Sequence, residues 1–412
     1  MSDRSATSSR ASGSSWSADD LGALLSARSR AVSTGAWTSP AVPGAISLVV
    51  GSPDPTSAAA AEILEATRIV LAREAAEALD YGGNYGHPGL RELVASRIDH
   101  QPGLGYTGAN VELTNGGAQG LENIFTTFLD PGDTVVAESP VWGGALRTLR
   151  SMQIKVEPVP LDEGGIIIAE LEDTLGRLAA EGRRPKLIYT IPTFQNPMGI
   201  SATLDRRKQL IEVAARHRVL LLEDDPYGEV RFAGSPLPSL LTLAGGEGVV
   251  RCSSFSKIIA TGLRVGWVIG RKDFVDACAK MRFDNGTSQF TSRIINAYIE
   301  AGFHEPHMDR ICRAYRAKYD AMHSALEESV GNRATWTRPE GGFFIWLTLP
   351  DRIDPAALAR AADEEGVQYV PGRSFTVDGS CGNSIRLAYS FETEERIAEA
   401  VRRLARAIDR VS

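Results

Sequence analysis

A lysine among serines, with an arginine shortly after it, is the first arrangement in this sequence with an evident chemistry. Lys257 lies in Ser253–Gly266, SSFSKIIATGLRVG. A partly desolvated lysine amine forms a Schiff base with an aldehyde. The hydroxyls of Ser254 and Ser256 and the guanidinium of Arg264 suit a phosphate dianion. The string also reads as a surface lysine in a serine-rich loop. A second group is Glu223–Tyr227, EDDPY. A carboxylate beside a ring nitrogen keeps that nitrogen protonated and makes the ring an electron sink. Asp224 is the candidate, and Tyr227 can donate to a phenolate oxygen of the same ring. The plainer alternative is an acidic turn before a proline. Asn196, held by Pro197 in Phe194–Gly199 (FQNPMG), can share that phenolate or simply close a turn.

Four further pieces add donors and surfaces. Gly117 and Ala118 open a helical run in Asn115–Gly120 (NGGAQG), where small residues expose backbone N–H groups to a phosphate. Trp142, in SPVWGG, offers an aromatic face for ring stacking or for core packing. Arg386 sits in the apolar run SIRLAYS. Burying it unpaired is costly, so it needs a substrate carboxylate or a structural one. Tyr81 opens YGGNYGHPGLR, a glycine- and proline-rich loop before a helix.

These residues fall where a parallel sheet would put them. TVVA (134–137) ends at Glu138, KLIYTI (186–191) at Pro192, and VLLL (219–222) at Glu223 and Asp224. Leu204, Leu210, Ile211 and Ala214 recur at helical spacing between the last two runs, giving a βαβ unit. Near-continuous apolar strands indicate a mainly parallel sheet covered on both faces. Ligands gather at the carboxyl ends of such strands. Beyond about residue 300 the texture changes. A long helical pattern (305–330), an aromatic strand (GFFIWLTL, 342–349) and a closing amphipathic helix with Ile397, Val401, Leu404 and Ile408 predict a second, α+β unit.

The bulk properties exclude some classes. A chain of 412 residues suits one large and one smaller domain. Its net charge of −7 argues against a general nucleic-acid binder. Cys252, Cys278, Cys312 and Cys381 form no CxxC pair and no zinc spacing, so free thiols and no metal are expected. No apolar run is long enough to span a bilayer, and no basic-then-apolar leader opens the chain, so the expected location is cytoplasmic.

In their order and spacing, the seven motifs resemble those of the fold-type I pyridoxal 5′-phosphate (PLP) enzymes. Within these they are similar to the class I/II aminotransferases near the α-aminoadipate and kynurenine aminotransferase branch. The resemblance covers roughly residues 45–410. It implies an α/β fold: a large domain with a three-layer, mainly parallel sheet and a smaller α+β C-terminal domain. The expected division is a disordered tail at 1–19, an N-terminal arm joining the small domain at 20–55, the large domain at 56–300 and the small one at 301–412. By motif, Lys257 resembles the Schiff-base lysine and Asp224 the partner of the pyridine nitrogen. Tyr227 and Asn196 match the phenolate donors. Ser254, Ser256, Arg264, Gly117 and Ala118 match the phosphate cup, and Trp142 the stacking ring. Arg386 matches the arginine that binds the α-carboxylate. Tyr81 matches a tyrosine reaching the neighbouring subunit's phosphate, which implies a homodimer with shared sites. The side-chain pocket is expected around Gly51, Asn84–Tyr85 and Asn285–Arg293, partly from the other subunit. Departures from the family's common forms occur at Met198, Thr261, Trp142 and Gly117-Ala118, and none removes a catalytic group.

The activity implied is transamination of an α-amino acid to a 2-oxo acid. The same core also serves β- or γ-elimination, replacement and carbon–carbon bond formation, for example on S-adenosylmethionine in a biosynthetic pathway. A DNA-binding regulator built on this fold would carry a winged helix ahead of it. The first 40 or so residues here are rich in serine and alanine and show no helix-turn-helix pattern.

Overall fold

The computed structural model describes residues 16–32, 44–98 and 104–412. In chain order the strands are β1 (Ile46–Ser47), β2 (Val111–Thr114), β3 (Thr134–Ser139), β4 (Lys155–Asp162), β5 (Gly165–Ile166), β6 (Leu187–Thr190) and β7 (Leu220–Asp224). They continue with β8 (Val249–Ser254), β9 (Gly266–Gly270), β10 (Thr335–Trp336), β11 (Phe344–Thr348), β12 (Val367–Gln368), β13 (Val370–Pro371) and β14 (Ser384–Ala388).

The main sheet has eight strands in the order β2-β9-β8-β7-β6-β3-β4-β5. Pairings among β8, β7, β6, β3 and β4 are parallel. β9 enters antiparallel between β8 and β2, and β5 is antiparallel to β4. Its central strands feed two different cores. Val135, Ala137, Leu187, Tyr189, Leu222, Val250 and Cys252 pack on one face. Their chain neighbours Val136, Ile188, Leu221 and Val249 pack on the other. That alternation over residues buried on both sides is why the strands read as unbroken apolar runs. The helix Leu204–His217 shows the covering layer at work. Thr203 caps its start by accepting from Arg206 N, Leu210, Val213 and Ala214 face the sheet, and Arg218 ends it in the left-handed region.

A second sheet is antiparallel, in the order β10-β11-β14-β13, and packs its own core with the helices Pro355–Glu365 and Glu394–Val411. The amino-terminal segment joins this core. β1 pairs in parallel with β12, and Ile46 and Leu48 are buried in it. The helix His304–Ser329 runs through both: Met308, Ile311 and Tyr315 belong to the first core, Met322 and Leu326 to the second. Of the stretch expected as a tail, residues 1–15 lie outside the described residues. Ser17 caps a helix at Ala18–Leu24, which overlaps the last residues of that stretch. No described helix is long and apolar enough to cross a membrane.

Leu48 fixes the segment that runs on into the cavity described next. Its N–H donates to Gln368 O at 2.8 Å, its carbonyl accepts from Ala388 N at 2.9 Å, and its side chain is fully buried. Leu48→Ala should cost about 2–5 kcal/mol of stability, read as a lower midpoint in urea unfolding. Because the next residues are displaced with it, affinity for substrate should fall as well.

Candidate active site

The carboxyl ends of β7 and β8, with the loop that follows β6, open onto a cavity of about 430 Å³. Lys257, Asp224, Tyr227, Asn196, Trp142, Arg386, Gly51 and the expected phosphate-cup residues line it, and Tyr81 does not. Tyr81 is 83 % exposed.

Asp224 ends β7 and is buried. Tyr189 Oη donates to its Oδ2 at 2.6 Å. Burial pushes the Asp224 carboxyl up to about 7 against the pull of that hydroxyl. A cationic N–H placed beside it would restore its charge. Tyr227 lies one turn on, packed edge-on against Phe343 and Phe344. Burial raises its hydroxyl well above the usual tyrosine range, and Arg386 and a hydrogen bond from Asn196 pull the other way.

Lys257 sits in the turn after β8. Its Nζ donates to Gly51 O at 2.7 Å. Burial first, then the like charges of Arg386 and Arg264, bring its amine down to about 8. Near neutrality a fraction is therefore the free nucleophile. Gly51 has no room for a side chain, since a Cβ there would lie 2.5 Å from Phe344 Cζ.

One end of the cavity is built from a helix start. Gly117–Phe128 begins after Gly116, whose φ of +81° and lack of a Cβ let Arg264 lie against it. A Cβ at Gly116 would sit 2.4 Å from Arg264 Nη2. Arg264, itself in the left-handed region, donates to Asn115 O at 3.2 Å. Ser254 and Ser256 close this end, with Ser256 N donating to Ser254 Oγ at 3.1 Å. The first N–H groups of the helix, a guanidinium and two hydroxyls form a donor set fitted to a phosphate dianion.

Arg386 comes from the second sheet, on β14. It donates to Asn196 Oδ1 at 2.9 Å and to Val49 O at 2.6 Å. Its guanidinium lies 4.2 Å from the centre of the Phe344 ring and 5.0 Å from that of Phe375. Burial lowers its pKa to about 10. Trp142 sits at the start of the helix Gly143–Ser151, on the cavity wall.

Some expected positions lie elsewhere. Asn84 donates to Ala279 O and Tyr85 to Asp276, away from this cavity. Arg293 pairs with Glu74. Within one chain neither the 84–85 loop nor the 285–293 stretch lines the cavity. Tyr189, Phe344, Phe375 and the Val49 carbonyl were not singled out from the sequence. Among the described residues no cluster of side chains is arranged to hold a metal.

The profile of the family described as "Aminotransferase class I and II" matches residues 45–404. The chain is 36% identical to aromatic-amino-acid aminotransferase 1 of Thermococcus litoralis, over 88% of each chain. It is 35% identical to the 2-aminoadipate transaminase of Thermus thermophilus, over 89% of this chain and 90% of the relative. Among solved structures it is similar to the Thermus thermophilus α-aminoadipate aminotransferase complexed with N-(5′-phosphopyridoxyl)-L-leucine. That match has a TM-score of 0.87 and 32% identity, and covers 95% of this chain and 98% of the other.

The lowered amine makes a test of the site. Capture of PLP by cofactor-free protein needs the neutral form of Lys257, so its rate should climb with pH to a plateau, with a midpoint at about 8. Arg386→Leu removes a like charge and should move that midpoint upward. Stopped-flow absorbance follows both; a midpoint at the ordinary lysine value in the wild type would contradict the desolvation described above.

Proposed function

The chain belongs to the class I and II aminotransferases, which work on pyridoxal 5′-phosphate, and on that premise we propose how its residues divide the conversion of an α-amino acid to a 2-oxo acid. Bound here, the cofactor supplies an aldehyde for the amino group and a ring that stabilises negative charge at the substrate Cα. The Gly117 and Ala118 amides, Ser254, Ser256 and Arg264 would hold the phosphate. Asp224, oriented by Tyr189, would take the ring nitrogen and recover its charge there. Tyr227 and Asn196 would donate to the ring oxygen, and Trp142 would stack on the ring. Arg386 would bind the α-carboxylate and so orient the bonds at Cα. Lys257 is the amine that would hold the aldehyde, and with its pKa lowered to about 8 it would serve as the general base that moves the proton at Cα.

The carrying observation is convergence. Four stretches of chain bring Lys257, Asp224, Tyr227, Asn196 and Arg386 to one cavity, each residue suited to a different part of one cofactor and substrate. Elimination or replacement would use the same groups, but the relatives named above are aminotransferases.

We also infer a homodimer. Tyr81, Leu79 and Phe283 are large side chains left exposed on one chain. Tyr81 is assigned to the phosphate of the partner subunit. A cytoplasmic location is consistent with four cysteines that remain free thiols.

Single-turnover assays with a panel of amino acids should yield a 2-oxo acid and the amine form of the cofactor from at least one of them. No oxo acid from any would reject transamination. Lys257→Ala should lose both the visible absorbance of the bound cofactor and turnover while keeping its fold. Tyr81→Phe should leave the chain folded but weaken cofactor retention, measured by dialysis.

A further inference from the structure

Next to the cofactor cavity a second acid is buried among neutral groups. Glu138 lies near the end of β3 and is 2 % exposed. Its carboxylate accepts from Thr190 Oγ1 at 2.7 Å, from Ile191 N at 3.0 Å and from Gln195 Nε2 at 2.9 Å. Gln195, 1 % exposed, also donates to Pro140 O at 2.7 Å and accepts from Met198 N at 2.8 Å. The Gln195 backbone closes the same turn, its N–H donating to Ile200 O at 2.8 Å and its carbonyl accepting from Gly199 N at 2.6 Å.

The consequence is positional. The turn tied down by Gln195 carries Asn196, and so the acceptor of Arg386. The Pro140 carbonyl that Gln195 grips is two residues before Trp142. Val141 N in the same stretch donates to Phe375 O at 2.8 Å, and the Phe375 ring lies against Arg386. Thr190 and Ile191 follow Tyr189, which holds Asp224. One carboxylate therefore anchors the segments bearing Trp142, Asn196 and the orienting tyrosine.

A buried carboxylate with neutral donors is a costly way to stabilise a fold. Burial pushes Glu138 up to about 7 despite its three donors. Its charge is felt by Asp224 and Tyr189, the titratable groups nearest in effect. What the carboxylate provides is acceptors only, enough to fix several donors at once. A glutamine at 138 would keep its carbonyl for Ile191 N and Gln195 Nε2 and turn its NH₂ to the Thr190 hydroxyl, so an apolar side chain is what removes these acceptors.

Resting on the reading of the site above, we propose that Glu138 and Gln195 are a positioning pair. They hold the Asn196 turn and the Trp142 segment in register, and through Asn196 they set the Arg386 guanidinium that receives the substrate carboxylate.

Two variants test it in the holoenzyme. Gln195→Met keeps length and volume but removes both amide groups. Glu138→Met keeps similar length and volume but removes both carboxylate oxygens and so every acceptor this side chain offers. The readouts are KM and kcat for the best wild-type amino acid, and the pH titration of the bound cofactor's visible absorbance. Each variant should raise KM about tenfold, with a smaller fall in kcat, and move the titration midpoint by more than about half a unit. KM within about twofold of wild type together with an unmoved midpoint would overturn the pairing, whatever happens to thermal stability. If Gln195→Met does not fold, Glu138→Met decides. A wild type without the cofactor absorbance would instead reject the reading of the site itself.

Discussion

The guanidinium of Arg386 joins three parts of the chain at one point. It projects from β14 in the second sheet. One nitrogen donates to Asn196, in the loop after β6 of the main sheet, and another to the carbonyl of Val49, in the amino-terminal segment. Phe344 and Phe375 bracket the plane of the group. A guanidinium is a rigid fork, so its donors dictate where their acceptors stand. Each bond from such a charged donor is worth about 1.5–3 kcal/mol, enough to hold a loop in place. The cavity exists in its present shape because these segments share one cation.

Its electrostatics follow from that choice. Lys257, Arg264 and Arg386 all line a single cavity, while among the described residues Asp224 is the one carboxylate in its walls. The like charges lower Lys257 further than burial alone would. Asp224, desolvated and held by Tyr189, is pushed the opposite way. A cationic ring nitrogen, a phosphate dianion and a substrate carboxylate would each relieve one of these penalties. The site is thus complementary in charge to three groups at once, which explains why the side chains tolerate burial in its walls.

Much of this was legible in the sequence, for a physical reason. Strands buried on both faces are apolar throughout, so TVVA, KLIYTI and VLLL stand out, and a polar residue just beyond such a run marks the sheet's carboxyl edge. Asp224 and Asn196 were found this way. What stayed hidden has its own logic. Tyr189 lies within a run already read as core, and nothing in its spacing reports where its hydroxyl points. The antiparallel entry of β9 between β2 and β8 leaves the side-chain alternation of a strand unchanged, so periodicity cannot reveal it. An acceptor supplied by the backbone, as at Val49, carries no residue-type signal at all. Asn84, Tyr85 and Arg293, expected in the pocket, instead make their bonds to other parts of their own chain.

That last class of acceptor bears on how the resting site keeps its reactivity. Lys257 and Arg386 both donate to peptide carbonyls of one short segment. Were either acceptor a carboxylate, it would form an ion pair, raise the lysine pKa and occupy the arginine that a substrate must reach. A neutral carbonyl orients both groups without cancelling their charge. Gly51 is required for this: a Cβ would strike the Phe344 ring, and the carbonyl would have to move away from Lys257. The segment is in turn pinned to the second core by Leu48 and by β1 pairing with β12. The small sheet therefore contributes more than Arg386. It fixes the two carbonyls that hold lysine and arginine apart and still available to their anionic and carbonyl partners.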